Sequence, residues 1–158
     1  MEAKEIGTAA LFMLLCLTAG AIGSAFTFPA IPGWYASLSK PSFNPPDWVF
    51  GPVWTALYVL MGIAAYLVYR AGAGKKGVRA ALAAFGVQLC LNVLWSLLFF
   101  GLRSPLYGLI CIAALWLAIA ATIIKFYGIS KAAGLLLVPY MLWVSFAGLL
   151  NYYVWILN

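Results

Sequence analysis

The sequence contains no histidine and very few charged side chains. Histidine is the commonest general base at neutral pH and the commonest metal ligand, so its absence excludes the usual Ser–His and Cys–His catalytic pairs. The acidic residues are Glu2, Glu5 and Asp47, and none lies within a long apolar run. Intramembrane carboxylates of the kind found in proton-coupled pumps are therefore absent too. Hydrolase, redox-metal and ion-pump functions are all disfavoured.

Cysteine is also scarce and is not arranged for chemistry. Cys16, Cys90 and Cys111 stand singly in three different apolar runs, without a CxxC pair or metal-ligand spacing. They are interpreted as small apolar side chains within the protein. We predict no metal site and no cofactor.

Apolar residues dominate what is present. They make up 66% of the chain, whereas charged residues make up 8%, about a third of the usual charged share. Each uncharged run can supply the ~20 apolar residues that cross a bilayer as a helix, and continuous apolarity is unlike the alternation of a barrel. The predicted fold is an all-α integral membrane protein, one domain over 1–158, with five transmembrane helices near 6–28, 48–70, 79–101, 105–126 and 132–156.

Local signals support these helix boundaries. Pro52 falls in the first turns of the second helix, and Ser104-Pro105 is typical of an N-cap followed by the first helical residue. Pro139 lies inside the fifth helix, where a kink and simple packing are both open. The segment MEAKEIG lacks the basic region of a signal peptide, so we expect the first helix to be retained.

The distribution of Lys and Arg predicts the orientation. Seven basic residues fall on the side of the N-terminus and two, Lys40 and Arg103, on the other. The N-terminus is therefore predicted to be cytoplasmic. Because the basic residues flank helices and form no stripe, we expect no nucleic-acid partner.

Aromatic and amide residues recur at helical spacing on three of the predicted helices. Each set lies on one face, and three such faces could line a cavity for a flat apolar molecule. Interfacial enrichment of aromatic residues and ordinary helix packing are the alternative explanation. The sets are Trp54, Tyr58, Met61 and Ala65; Gln88, Asn92, Trp95 and Phe99; and Tyr140, Trp143, Ala147 and Asn151.

Three segments resemble the TspO/MBR family of translocator proteins: WYASLSKPSFNPPDWVFGPVWTALYVLMG, QLCLNVLWSLLFFG and LLLVPYMLWVSFAGLLNYYVW. The resemblance covers about residues 34–155. It implies a five-helix membrane bundle, usually dimeric, that binds porphyrins and, in some members, cholesterol and benzodiazepine-type ligands. It also implies ligand contacts at Trp34 and Tyr35, Trp54 of GPVW, Asn92 of the QLxLN motif, Trp143 after PY, and Ala147.

The chain departs from the family pattern at three places. Phe43 stands where a tryptophan is usual, and Asp47 stands where many relatives carry a basic residue, which would weaken contact with porphyrin carboxylates. No Lys or Arg follows Trp155, where Ile156 and Leu157 stand, so the cholesterol-recognition pattern is broken. We therefore expect no cholesterol binding from this motif.

The first predicted loop, 29–47, is rich in proline. Pro41, Pro45 and Pro46 restrict the backbone and lower the entropy lost on ordering, so we interpret the loop as a lid over the outer end of the bundle. Lys40 is its best-placed cation for an acidic ligand edge. A stiff surface connection without a gating role is the alternative.

Three functions remain open from the sequence. The leading one is a membrane receptor or sensor that binds tetrapyrroles such as protoporphyrin IX. The second is light- and oxygen-dependent porphyrin breakdown, with Trp54 and Trp143 as the catalytic candidates; photo-damage of these tryptophans is the competing explanation. The third, transport or chaperoning, is the least supported. We expect a prokaryotic plasma membrane location and a homodimer through the third helix, although its small residues and those of the first helix could equally serve packing within one bundle.

Overall fold

The computed structural model describes residues 3–158, with side chains from residue 5 onward, and these residues form helices without any strand. Five helical stretches are long and apolar enough to cross a membrane, which confirms the predicted fold class. The fifth stretch consists of two helices separated by a break at Leu137. The helices are α1 (Ala3–Ala30), α2 (Phe50–Arg70), α3 (Lys76–Ser96), α4 (Pro105–Ile129), α5 (Lys131–Leu136) and α6 (Val138–Leu157).

The helices close into a ring. In this ring α1 packs between α2 and α3, α3 packs on α4, and α4 packs on α5 and α6, while α2 closes the ring against α5. The backbones of α2 and α6 do not come as close together as those of the helix pairs just named. Space is therefore left between them at the end of the bundle that holds the connection from α1 to α2, which we call the loop end.

Large apolar side chains cover the outside of the bundle. Their exposure would be costly in water and is favourable in hydrocarbon, where helices satisfy their own backbone groups. The chain is therefore a multi-pass integral membrane protein. Examples on three of the helices are Leu11, Leu14, Leu117, Ile124 and Leu142.

The first helix extends further than the sequence predicted. Instead of ending near residue 28, α1 runs through Pro29 to Ala30 and continues as a π-helical turn, Ile31–Tyr35, and two further helical residues. Membrane helices tolerate such prolines because wider turns and hydroxyl groups satisfy the freed carbonyls. The connection is consequently 38–46 rather than 29–47.

The predicted start of the fourth helix is confirmed by its local geometry, and Pro139 marks a break in the fifth span. Ser104 accepts a hydrogen bond from the backbone N–H of Tyr107 at the start of α4, where Pro105 is the first helical residue. Pro139 lies in the first turn of α6, just after the break at Leu137. The fifth span is therefore interrupted next to this proline, in agreement with its missing backbone donor.

Glycines set the close packing of α1 against α2. A Cβ added at Gly62 would lie 2.5 Å from Cα of Met13, and one at Gly20 would lie 2.5 Å from Cε2 of Tyr58. Because neither distance is compatible with a side chain, both glycines are needed where the two helices meet. Gly20 of α1 thus serves packing inside one bundle.

Candidate ligand cavity

A cavity of about 400 Å³ lies at the loop end of the bundle, between α1, α2, α3 and α6. Its wall is mainly aromatic and aliphatic, with a few hydroxyl and amide groups. Ligand pockets in proteins usually occupy about 300–1,000 Å³ and have this mixture of apolar walls and few polar groups. The space between α2 and α6 is therefore of a size and chemistry suited to a small apolar molecule.

Most residues predicted to contact a ligand lie on the wall of this cavity. The three helical faces inferred from periodicity converge there, together with the end of the π-helical turn after α1. The predicted residues that line it are Tyr35, Trp54, Tyr58, Asn92, Trp95, Trp143, Ala147 and Asn151.

Two predicted contact residues lie behind the wall instead. Tyr140 is fully buried, with 1% of its surface exposed, and its ring packs edge-on against Trp54 at 6.2 Å between centroids. Trp34 packs against Phe99 and Phe100 with centroid separations of 5.5 and 6.3 Å. Both residues support lining side chains and do not themselves reach the cavity.

A chain of buried hydrogen bonds forms the floor. The hydroxyl of Tyr58 donates to Oδ1 of Asn92 at 2.5 Å, and Nδ2 of Asn92 donates to the hydroxyl of Tyr140 at 2.9 Å. That hydroxyl donates in turn to Oε1 of Gln88 at 2.9 Å, and Nε2 of Gln88 lies 3.9 Å from the sulfur of Met61. Since these bonds engage both amide atoms of Asn92, its side chain is held in one orientation, with one N–H and one lone pair remaining for a ligand.

Two indoles form much of the wall above this floor. Trp54 stacks on Tyr58 with 5.7 Å between ring centroids. Trp143 packs edge-on against Phe50 at 5.9 Å and lies against Phe146 at 5.7 Å. The indole N–H of Trp143 is buried and has no hydrogen-bond partner among the described residues. The two rings reach the cavity from different helices, α2 and α6.

A second polar contact fixes the wall contributed by α3. The indole N–H of Trp95 donates to Oδ1 of Asn151 at 3.1 Å, and Nδ2 of Asn151 donates to the backbone carbonyl of Pro105 at 2.7 Å. The ring of Trp95 stacks on Phe99, 5.3 Å away. Asn151 therefore joins α6 to both ends of the α3–α4 connection and orients the adjacent aromatic residues.

The connection 38–46 crosses the loop end and is held on both sides. The side chain of Asn158 accepts from the backbone N–H of Ser39 at 2.9 Å and donates to its carbonyl at 3.0 Å. The hydroxyl of Tyr35 donates to Oδ1 of Asn44 at 3.1 Å, and the ring of Phe43 contacts Tyr153 at 5.3 Å between centroids. The connection thus lies against α6 and the end of the first span.

The residues proposed for the lid do not line the cavity. Lys40 donates from Nζ to the carbonyls of Tyr35 at 2.8 Å and Leu38 at 3.1 Å, and its ammonium lies 4.8 Å from the Tyr35 ring centroid. A lysine in this position caps the carbonyl end of a helix. The lid prolines, Pro41, Pro45 and Pro46, shape the connection outside the lining residues.

Sequence reasoning missed the wall contributed by α1. Gly20, Ser24, Thr27 and Ile31 line the cavity at steps of four, three and four, the same spacing that identified the other walls. Because these four residues carry no ring or amide, they did not appear as a binding face. Asp47 also lines the cavity and was considered only as a departure from a family pattern.

Part of the cavity wall formed by α1 and α2 is exposed. Four lining residues, Ala21, Phe28, Gly51 and Thr55, are also exposed on the outside of the bundle. The hydroxyl of Thr55 donates to the carbonyl of Gly51 at 2.9 Å and so keeps no free donor. Lining residues of both α1 and α2 are thus accessible at the loop end.

Comparison with known proteins is consistent with this architecture. The TspO/MBR family model matches residues 12–156. The chain is 48% identical to the tryptophan-rich protein TspO of Chlorobaculum tepidum, over 98% of both chains, and 42% identical to the human translocator protein, over 85% of this chain and 80% of the relative. It is 38% identical to the tryptophan-rich sensory protein of Cereibacter sphaeroides, over 94% of this chain and 92% of the relative.

Proposed function

The chain belongs to the TspO/MBR family, and we propose that it is a membrane receptor or sensor that binds porphyrins or similar flat apolar molecules in the cavity at the loop end. A similar protein carries the name sensory protein, which supports this class of function. The proposed ligand-contacting residues are the lining ones, with Trp54 and Trp143 providing ring surface and Asn92 a hydrogen bond. Tyr140 and Trp34 support them from behind the wall.

One observation carries the proposal: indoles from α2 and α6 reach the same cavity, above an amide whose orientation is fixed. Flat aromatic molecules bind well to ring surfaces, and a single fixed polar group sets their orientation. The exposed lining residues Ala21, Phe28 and Gly51 would let a ligand that is dissolved in the bilayer enter between α1 and α2. The connection 38–46 would serve as the lid that covers the bound ligand.

The proposal is tested by titrating the purified protein with protoporphyrin IX in the dark and following the porphyrin absorbance. Ala147 lies on the wall and is 8% exposed, so Ala147→Phe should fill the space and abolish binding. Leu149 lies on the lipid-facing side of the same helix and is 48% exposed, so Leu149→Phe is the matched control and should bind normally. Equal binding by both variants would place the porphyrin outside the cavity.

Light- and oxygen-dependent porphyrin breakdown is a second candidate, favoured by the presence of Trp54 and Trp143 around one cavity. An excited porphyrin with oxygen would supply the reactivity, and electron-rich indoles in contact with the ring would take part. Illumination after the dark titration separates the two functions. A receptor leaves the porphyrin absorbance unchanged, whereas breakdown bleaches it.

Assembly and location complete the proposed function. An exposed stripe along α3 that contains two alanines and a cysteine would allow a second copy to approach closely as a homodimer. The expected location is the plasma membrane of a prokaryote, with the N-terminus in the cytoplasm and the loop end outside. The stripe consists of Ala80, Ala83, Val87, Cys90 and Leu94.

A further inference from the structure

Asp47 is the one charged residue among the described residues that line the cavity. It lies at the start of a short 3-10 helix, Asp47–Val49, that leads into α2, and its side chain is exposed. Within residues 5–158, no hydrogen bond or ion pair engages its carboxylate. The rim of the cavity therefore carries a negative charge without a counter-ion.

The nearest basic residue in the chain does not neutralise this charge. The ammonium of Lys40 is directed to backbone carbonyls at the end of the first span, 2.8 Å from that of Tyr35 and 3.1 Å from that of Leu38. Arg103, the other basic residue at the loop end, lies in the α3–α4 connection and does not line the cavity. A ligand at the rim thus meets a carboxylate and no cation.

We infer that Asp47 sets the charge preference of the cavity, selecting flat apolar ligands that are neutral or cationic at the edge beneath the connection and disfavouring those with free carboxylates there. The inference rests on the proposed function, because it concerns the ligand of the same cavity. A like-charged pair at the rim is repelled through a partly apolar medium, where Coulomb interactions are stronger than in water.

An Asp in the first turn of a helix also interacts favourably with the helix dipole, which would be a purely structural role. The two roles differ in what they predict. A structural role changes the stability of the protein and affects all ligands equally. A role in selection changes the affinity according to ligand charge and leaves the affinity for a neutral ligand as it was.

The experiment uses one ring in three charge states: protoporphyrin IX as the free acid, its neutral dimethyl ester, and a bis-amide carrying two tertiary amines. Dissociation constants are measured in the dark at low and high salt for the wild type, Asp47→Asn and Asp47→Glu. For each ligand, the dissociation constant of the variant is divided by that of the wild type, because this ratio cancels differences in how the ligands partition into detergent. Glu5→Gln removes an acid at the opposite end of the bundle and serves as the control.

Asp47→Asn should tighten binding of the free acid by about tenfold, weaken binding of the amine derivative by a similar factor and leave the ester unchanged. Asp47→Glu keeps the charge and should keep the same order of preference among the three ligands. Glu5→Gln should bind all three as the wild type does. For the wild type alone, added salt should strengthen binding of the free acid, because it screens the exposed repulsion; this measurement needs no variant to fold.

The possible failures are distinguishable. One outcome is that the wild type binds the ester, the ratio of the Asp47→Asn to the wild-type dissociation constant is the same for all three ligands, and salt does not change binding of the free acid. That outcome would overturn the role of Asp47 and leave the proposed receptor function standing. Binding of none of the three ligands by the wild type would overturn the proposed function, and the charge preference with it.

Discussion

Replacing Trp143 with alanine should weaken porphyrin binding by about 1–3 kcal/mol, which is about 5- to 150-fold in the dissociation constant. Trp143 lines the cavity, and its ring neighbours are Phe50, which also lines the cavity, and Phe146, which does not. Neither phenylalanine belongs to the hydrogen-bonded floor. The change therefore removes stacking surface while the orientation of Asn92 is kept. Trp54→Ala should have a larger effect, because Trp54 also stacks on Tyr58.

The binding assay follows the porphyrin absorbance at fixed detergent concentration, since tryptophan fluorescence itself changes in these variants. Trp48 is the matched control: its side chain is 75% exposed and does not line the cavity, so Trp48→Ala should bind as the wild type. A thermal unfolding curve for each variant shows that it is folded. Wild-type affinity in both folded variants, Trp54→Ala and Trp143→Ala, would refute binding between these rings.

Three further outcomes are expected. Under light and oxygen, Trp143→Phe should reduce porphyrin bleaching more than it reduces porphyrin binding. If the Trp54→Phe/Trp143→Phe double variant bleaches the porphyrin as fast as the wild type at matched occupancy, the breakdown function is excluded and the receptor function remains. Ala83→Leu on the exposed α3 stripe should shift a homodimer toward monomer in detergent, measured by light scattering, and an unchanged mass would point to another surface. Asn158→Ala removes both hydrogen bonds to the Ser39 backbone and should speed ligand release and proteolysis of the connection 38–46. The unfolding temperature should change little, because these hydrogen bonds are exposed. An unchanged release rate would argue against a lid.

The five spans and three of the cavity walls could be predicted because the features that determine them can be recognised from the order of residues along the chain. Charges are excluded from hydrocarbon, so uncharged runs mark the spans directly. Rings and amides at helical spacing mark a face, and Trp54, Asn92 and Trp143 converge in the structure. The wall from α1 was not predicted because glycine and hydroxyl residues at the same spacing are typical of helix packing as much as of a cavity.

The distinction between lining and supporting residues required three-dimensional information. Tyr140 and Trp143 lie on one face of α6, yet Tyr140 is buried beneath Trp54 whereas Trp143 reaches the cavity. Periodicity identifies a face but does not give the depth of each residue along it. The depth depends on how α6 is placed relative to α2, and the break at Leu137 contributes to that placement.

The charges of the connection show why chain position was a poor guide to the cavity rim. Lys40 was expected to meet an acidic ligand because it lies in a proline-rich loop. The first span instead continues to residue 37, which brings Lys40 next to the carbonyls at the end of that helix. A helix end attracts a cation whether or not a ligand is present. Asp47 instead begins a helix and remains at the cavity. Extending one helix by about two turns therefore leaves a negative and not a positive charge at the cavity rim, and no composition or periodicity argument contains that information.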